Sequence, residues 1–346
     1  MSQTVTSTAA PAREAAEPAR RLGDLVSRYA LLGVFVLVVA VFSMLRPQTY
    51  PTWQNATSIL GNQAITLLLA LAVLVPLLVG EFDLSVAATF GFCQLLVVGL
   101  LVRSGLGVVP AVLVAVGVGG LVGVFNAILI TRFGVSSFIA TLGTQTLLGG
   151  VALAYSGGQV VQGDLPAAFL DAGQGAVGKV SLVTIYALAV AVLLWFVLAR
   201  TALGRRLLAT GGNRDAARLS GVRTHRMVVF AFVTCGCLAA ATGVAMAAEL
   251  GSGQPLVGPS YLLPAYAGAF LGATTVTPGR FNVWGTVIAV YVLAAGVTGL
   301  QQLGVASWVE YVFNGAALLL SVILSGYAAR IRAWRRARSN DRKETR

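Results

Sequence analysis

Residues 173–180, Gly-Gln-Gly-Ala-Val-Gly-Lys-Val, nearly spell a phosphate-binding loop. In such a loop the glycine amides cradle phosphate oxygens, the lysine neutralises them, and a final Ser or Thr hydroxyl holds magnesium. Val180 stands where that hydroxyl is needed, and an apolar run follows instead of a soluble helix. No nucleotide site is read here. His225 is the only histidine, which excludes a histidine-based metal cluster or proton relay. Cys93, Cys235 and Cys237 lie inside apolar runs without a paired Cys-x-x-Cys spacing, as small buried residues do. No nucleophile–base set stands out, so neither catalysis nor a cofactor or metal is expected.

The remaining polar chemistry lies within or between apolar runs. Asp83 follows Gly80 and precedes Ser85 at a break between two runs. A charge inside a membrane costs several kcal/mol, so such a residue carries information. Two roles stay open for it: capping the next helix, with Ser85 as a second acceptor, or touching a solute. Asn126, Thr141, Thr144 and Gln145 are neutral polar residues inside runs, as are Gln63, Asn282 and Asn314. They suit either a hydroxyl-tolerant pathway or hydrogen bonds between helices, worth about 0.6 kcal/mol apiece. Asp83, Ser85, Asn126, Thr141, Thr144 and Gln145 form the candidate pathway or helix-break set. Glu81 is read as lying in water at a membrane boundary.

The elements that hold these residues follow from composition. The chain of 346 residues is 57% hydrophobic and 10% charged, with mean hydropathy +0.83. Soluble domains carry about 25% charge, so lipid is the expected solvent for this surface. Apolar runs cover roughly 29–45, 58–79, 85–102, 108–130, 137–155, 181–199, 227–249, 261–273, 283–303 and 307–327. The expected fold class is an all-α integral membrane protein with about ten transmembrane helices; the eighth run is short. The net charge of +12 is concentrated in clusters between runs, a mark of topology rather than of nucleic-acid binding. With the N-terminus cytoplasmic and ten spans, 21 of the 24 Lys and Arg fall inside and 3 outside. Both termini are therefore expected in the cytoplasm of a bacterial plasma-membrane protein. Residues 1–28 read as a disordered tail, 29–327 as the transmembrane domain and 328–346 as a basic tail. The first run starts late and lacks a small-x-small site, so no cleaved signal is expected. A Gly-rich loop over 156–180 lies outside, with five runs on each side of it. An odd number per half inverts one half relative to the other.

The longest polar stretch between runs is 200–226, on the cytoplasmic side. Within it, 209–221 reads as a short helix with both caps written in. Asn213 suits the N-cap. Asp215 falls in the first turn and Arg218 near the end, where the helix dipole favours their charges. Gly221 suits the left-handed residue just past the end. About two turns are too short to stand alone in water, so the helix must pack on something. Ala216, Leu219 and Ser220 share one small, weakly apolar face. It rests either on its own membrane domain or on a cytoplasmic partner.

This segment resembles the cytoplasmic coupling segment of ribose- and xylose-type ABC permeases, whose larger family includes branched-chain amino acid permeases. Gly211, Gly212, Asn213, Ala216, Ala217, Leu219, Ser220 and Gly221 match the pattern G-G-N-x-x-A-A-x-L-S-G in register. Phe125-Asn126-Ala127 through Phe138-Ile139-Ala140-Thr141-Leu142-Gly143-Thr144 is similar to N-G-x-L followed by F-I-A-T-L-G-T, and 80–86 to G-G-I-D-L-S-V. Gln254-Pro255 and the run from Gly268 to Gly272 also fit. The sequence departs at Glu81, where the family has Gly, and over 271–279, where it has L-G-G-T-S-x-x-G-G.

The resemblance implies a type II ABC importer-like permease fold and a pore made by two permease copies or paired homologues. It implies an ABC ATPase subunit docked on the coupling helix and an extracytoplasmic binding protein that delivers the solute. A monosaccharide or similar small polar solute is the expected cargo, with branched-chain amino acids as the alternative. An ion-coupled secondary transporter is the rival class; it would be expected to carry central ionisable residues or broken central helices.

Overall fold

A computed structural model describes residues 16–306 and 308–323, with side chains described from residue 31 on. The chain is built from α1 (Ala16–Leu45), α2 (Trp53–Asn62), α3 (Ala64–Leu78), α4 (Ser85–Val102), α5 (Val108–Thr131) and α6 (Ser137–Ser156). There follow α7 (Ala167–Gln174), a hairpin of β1 (Ala176–Val177) and β2 (Val180–Ser181), α8 (Leu182–Arg200), α9 (Ala202–Gly212) and α10 (Arg214–Leu219). The last are α11 (Thr224–Leu250), α12 (Pro259–Gly272), α13 (Val283–Gln302) and α14 (Trp308–Ile323).

At the centre runs α3, with every one of its residues buried. A helix apolar on all sides can only be stable when wrapped, and α8, α11, α12 and α13 surround it. The end of α3 is written in its sequence. Gly80 takes a left-handed φ of 81°, its amide meets the Leu77 carbonyl, and the Glu81 amide returns to Pro76. This stop satisfies carbonyls that would otherwise face apolar surroundings unpaired.

The closest helix pairing is α5 on α11. Gly119 and Gly123 of α5 lie against the Gly236 and Phe232 carbonyls of α11, and a Cβ at Gly119 would overlap the Gly236 oxygen. Main chain meets main chain because no side chain intervenes. Gly119→Val is therefore expected to destabilise the domain by about 1–3 kcal/mol, the usual cost of overpacking. Thermal unfolding in detergent checks this, with Gly117→Val on the open side of the same helix as control. Equal midpoints for the two variants would contradict the close crossing.

Six described helices are long and apolar enough to cross a membrane, or seven if the bent pair α2–α3 is one span. The protein is thus a multi-pass membrane protein, but the expectation of about ten spans is not met by length. The second run is two helices bent by 43° at Gln63. The eighth is the 14-residue α12. The apolar parts at the chain's two ends, Leu31–Leu45 and Trp308–Ile323, are also short.

Two other expectations change. The tail read over 1–28 is helical from Ala16 on; residues 1–15 and the basic tail of 328–346 lie outside the described residues. The stretch 156–180, read as a loop, contains α7 and the hairpin. Ala176 pairs with Ser181 and Val177 with Val180. Gly178, with φ of 65°, makes the turn of that hairpin, while Gly173 lies within α7 and Gly175 caps it, so the three glycines are spread over a helix end and a β-turn.

Candidate functional site

The polar stretch 200–226 begins with a helix that sequence reasoning did not single out. The Thr201 hydroxyl accepts from the Gly204 amide at 3.2 Å and starts α9. Asn213 is extended, with φ −160° and ψ 106°, and so separates α9 from α10. Its Oδ1 accepts from the amides of Asp215 at 3.1 Å and Ala216 at 2.9 Å. At the other end Gly221 has φ of 81°, its amide meets the Arg218 carbonyl at 2.9 Å, and the Val222 amide returns to Ala217 at 2.9 Å. Six residues are thus held between two complete caps. Arg218 Nε donates to Thr224 Oγ1 at 3.0 Å, tying α10 to the first turn of α11.

Only Ala217 of α10 is buried against the membrane domain. Ala216, Leu219 and Ser220, the face with two open readings, all point outward with Asp215, and Leu219 is 91% exposed. Gly212 also lies exposed, with no atom near a Cβ built on it.

The segment is anchored at two points on the end of α3. Gly211 lies so close to the Leu78 carbonyl that a Cβ would overlap its oxygen. Arg214 pairs with Glu81 at 2.6 Å, and the Glu81 side chain is only 12% exposed. Glu81, expected in water, is instead tucked under the segment that carries α10. Its partner supplies the charge that makes this burial tolerable.

Immediately after Glu81, the backbone of the α3–α4 break is held by side chains from two other helices. The Phe82 amide donates to Ser137 Oγ at 3.2 Å and the Leu84 amide to Thr141 Oγ1 at 3.0 Å, both on α6. The Asp83 amide donates to the Tyr266 hydroxyl of α12 at 3.0 Å, and that hydroxyl lies 2.9 Å from the Asp83 carbonyl. These bonds satisfy a non-helical backbone inside an apolar bundle, where irregular structure is tolerated only when paired.

The Asp83 carboxylate turns inward, and the residue is 2% exposed. It accepts from Ser85 Oγ at 2.6 Å. The N-cap position of α4 is Leu84, without a side-chain cap bond, so the Asp83 carboxylate, just before the helix begins, holds the Ser85 hydroxyl. From Ser85 Oγ the network continues to Asn126 Nδ2 at 2.8 Å, and from Asn126 Oδ1 to Thr144 Oγ1 at 2.6 Å. Five of the six pathway or helix-break candidates therefore gather around one break. Gln145 stands apart: its Oε1 is buried without a partner among the described residues.

Sequence reasoning missed Glu81, Arg214, Ser137 and Tyr266 as parts of this arrangement. Glu81 carried a signal, since it replaces a glycine of the motif. Tyr266 carried none, because its partner lies 183 positions away.

Residues 55–322 match the family described as the permease component of the branched-chain amino acid transport system. The chain belongs to this family. The permease is 35% identical over 294 residues to the ribose import permease protein of Bacillus subtilis (strain 168), covering 85% of this chain and 90% of that one. It is 29% identical to the D-allose transport system permease protein of Escherichia coli (strain K12), over 86% of this chain and 91% of that one. It is also 30% identical to the autoinducer 2 import system permease protein of Salmonella typhi, over 86% and 84% of the two chains. No solved structure gives a significant match. The matched region of the permease takes in both halves of the site, the capped segment and the break at 80–84.

Proposed function

We propose that the chain is the membrane-spanning subunit of an ATP-driven importer for a monosaccharide or a related small polar solute. In this reading an ABC ATPase subunit docks on the outward face of α10, an extracytoplasmic binding protein delivers the solute, and a second permease copy or homologue completes the pore. The ten apolar runs then cross the bilayer with both termini inside. Three of them do so as short or tilted helices in contact with their neighbours. The cargo class follows the ribose and allose import named for similar proteins.

The observation that carries the proposal is the geometry of α10. A rod too short to persist alone is capped at both ends, seated on one buried alanine, and presents an exposed leucine outward. Its Arg214–Glu81 pair joins it to a break whose backbone is held by side chains of two other helices, α6 and α12. Displacement of the rod is thus passed to the place where the bundle is least regular.

Reconstitution tests this. Vesicles carrying the permease, its ATPase and its binding protein are expected to hydrolyse ATP faster when the binding protein is loaded with sugar, and to accumulate that sugar. Uptake driven by an ion gradient without ATPase would refute the proposal. Accumulation of leucine in place of ribose or allose would keep the pump and change its cargo.

A further inference from the structure

A cavity of about 340 Å³ opens where the bend between α2 and α3 meets the first turn of α12, the outer half of α13 and the start of α14. Twelve residues of α3 separate Thr66 on its wall from Leu78 under the coupling segment. At about 1.5 Å per residue the two sites are about 18 Å apart along the helix. The cavity thus sits in the half of the membrane opposite to α10, which the charge distribution places outside.

Five polar side chains converge on it: Asn62, Gln63, Thr66, Ser260 and Asn314. No side-chain hydrogen bond is made by any of them among the described residues; Thr66 is buried, Gln63 and Asn314 are partly buried, and Asn62 and Ser260 are exposed at the mouth. Elsewhere in the bundle the polar side chains are mostly paired, as around Asp83. An unpaired amide or hydroxyl in apolar surroundings costs free energy unless something polar fills the space beside it. Tyr261 adds a hydroxyl whose one hydrogen bond among the described residues is to the Met246 sulfur at 3.9 Å.

The wall chemistry selects the occupant. Two hydroxyls and three amides offer both donors and acceptors. Leu293 and Val297 supply an apolar side. A sugar ring has this division between hydroxyl edges and C–H faces. Among the described residues no Lys or Arg lines the cavity, so a carboxylate or phosphate finds no counter-charge there. The one acid on the wall, Glu310, already accepts from the Gln301 amide at 3.0 Å, which leaves no free acid pair for a metal cation. A zwitterionic amino acid would bring a carboxylate to a wall without a cation. The volume lies at the small end of the roughly 300–1,000 Å³ of ligand pockets, which suits one ring.

We propose that this cavity is a subsite for a neutral polyhydroxylated solute, occupied after release from the binding protein and before passage toward the cytoplasm. The proposal rests on the importer reading above and assigns the solute class within it. Asn62 and Gln63 lie at the bend, so an occupant would contact the joint between α2 and α3 directly.

Cysteine protection tests it in the assembled importer. Asn314→Cys and, separately, Ser260→Cys are made with Cys237→Ser, since Cys93 and Cys235 are buried. Labelling by a membrane-impermeant hydrophilic maleimide is followed from outside with D-ribose, D-allose or L-leucine present. A transported sugar is expected to slow labelling about fivefold when present at about four times its dissociation constant, and leucine is expected to leave it unchanged. Asn314→Leu is expected to raise the KM for uptake while ATPase stimulation by loaded binding protein persists. Unslowed labelling by a sugar that the same vesicles transport would overturn the subsite and leave the importer standing. Absence of any labelling would also overturn it, by showing lipid or a second copy in the space. Vesicles that transport no sugar, with labelling slowed by leucine, would overturn both.

Discussion

Leu219→Asp is expected to abolish ATP-driven uptake while leaving the membrane domain folded. The side chain is 91% exposed on a helix whose own domain contacts it through Ala217, so the substitution costs the isolated permease little. In the assembled importer the same side chain would sit at the ATPase contact. An apolar anchor at the centre of such a contact is worth about 2 kcal/mol or more, and a buried aspartate adds a desolvation cost. The expected loss of affinity for the ATPase is about thirtyfold. Ala216→Asp, on the same face, is expected to act in the same direction. Co-purification of the ATPase and sugar uptake in vesicles are the readouts, with circular dichroism to establish that the helices remain. Wild-type uptake by Leu219→Asp would remove α10 from the docking surface.

Reversing the ion pair beneath this helix is expected to give the second large effect. Glu81→Arg alone places two guanidinium groups side by side, and Arg214→Glu alone places two carboxylates there. Each should reduce uptake by about tenfold, since like charges at an interface cost on the order of 1 kcal/mol or more. The figure is kept low because the Arg214 side chain is 39% exposed and water screens it. Glu81→Arg with Arg214→Glu is expected to recover much of the loss, which a merely additive pair of defects would not do. Basal ATPase activity of the purified complex should change little in all three variants. An additive double variant would mean that the pair does not carry motion between the coupling segment and the α3–α4 break.

The parts of the site that were legible in the sequence are those written locally. Asn213 and Gly221 are close enough in the chain to specify both ends of α10 by themselves. Gly80 marks the end of α3 in the same way. The rest depends on tertiary approach. Glu81 and Arg214 are 133 positions apart, and neither residue type says that it will find the other. Asn126 and Thr144 were singled out as polar residues in apolar runs, but composition leaves a pathway and a packing bond equally possible. Only the 2.6 Å contact between them shows that they share a network. Run lengths were the weakest guide to the fold. Hydropathy averages over the bend at Gln63, because a polar residue flanked by Ile, Leu and Ala barely lowers the mean. The hairpin after α7 was hidden for another reason: its glycines fit a phosphate loop and a β-turn equally well.

The contact of Gly119 with Gly236 has a mechanical corollary. Side chains between helices act as a compliant cushion, since rotamers yield before backbone does. Here that cushion is missing, so α5 and α11 form a single strut. Because α11 begins three residues after Gly221, in the proposed importer a thrust on α10 would enter this strut undamped. The give would then be left to two joints, the bend at Gln63 and the turn at Gly80.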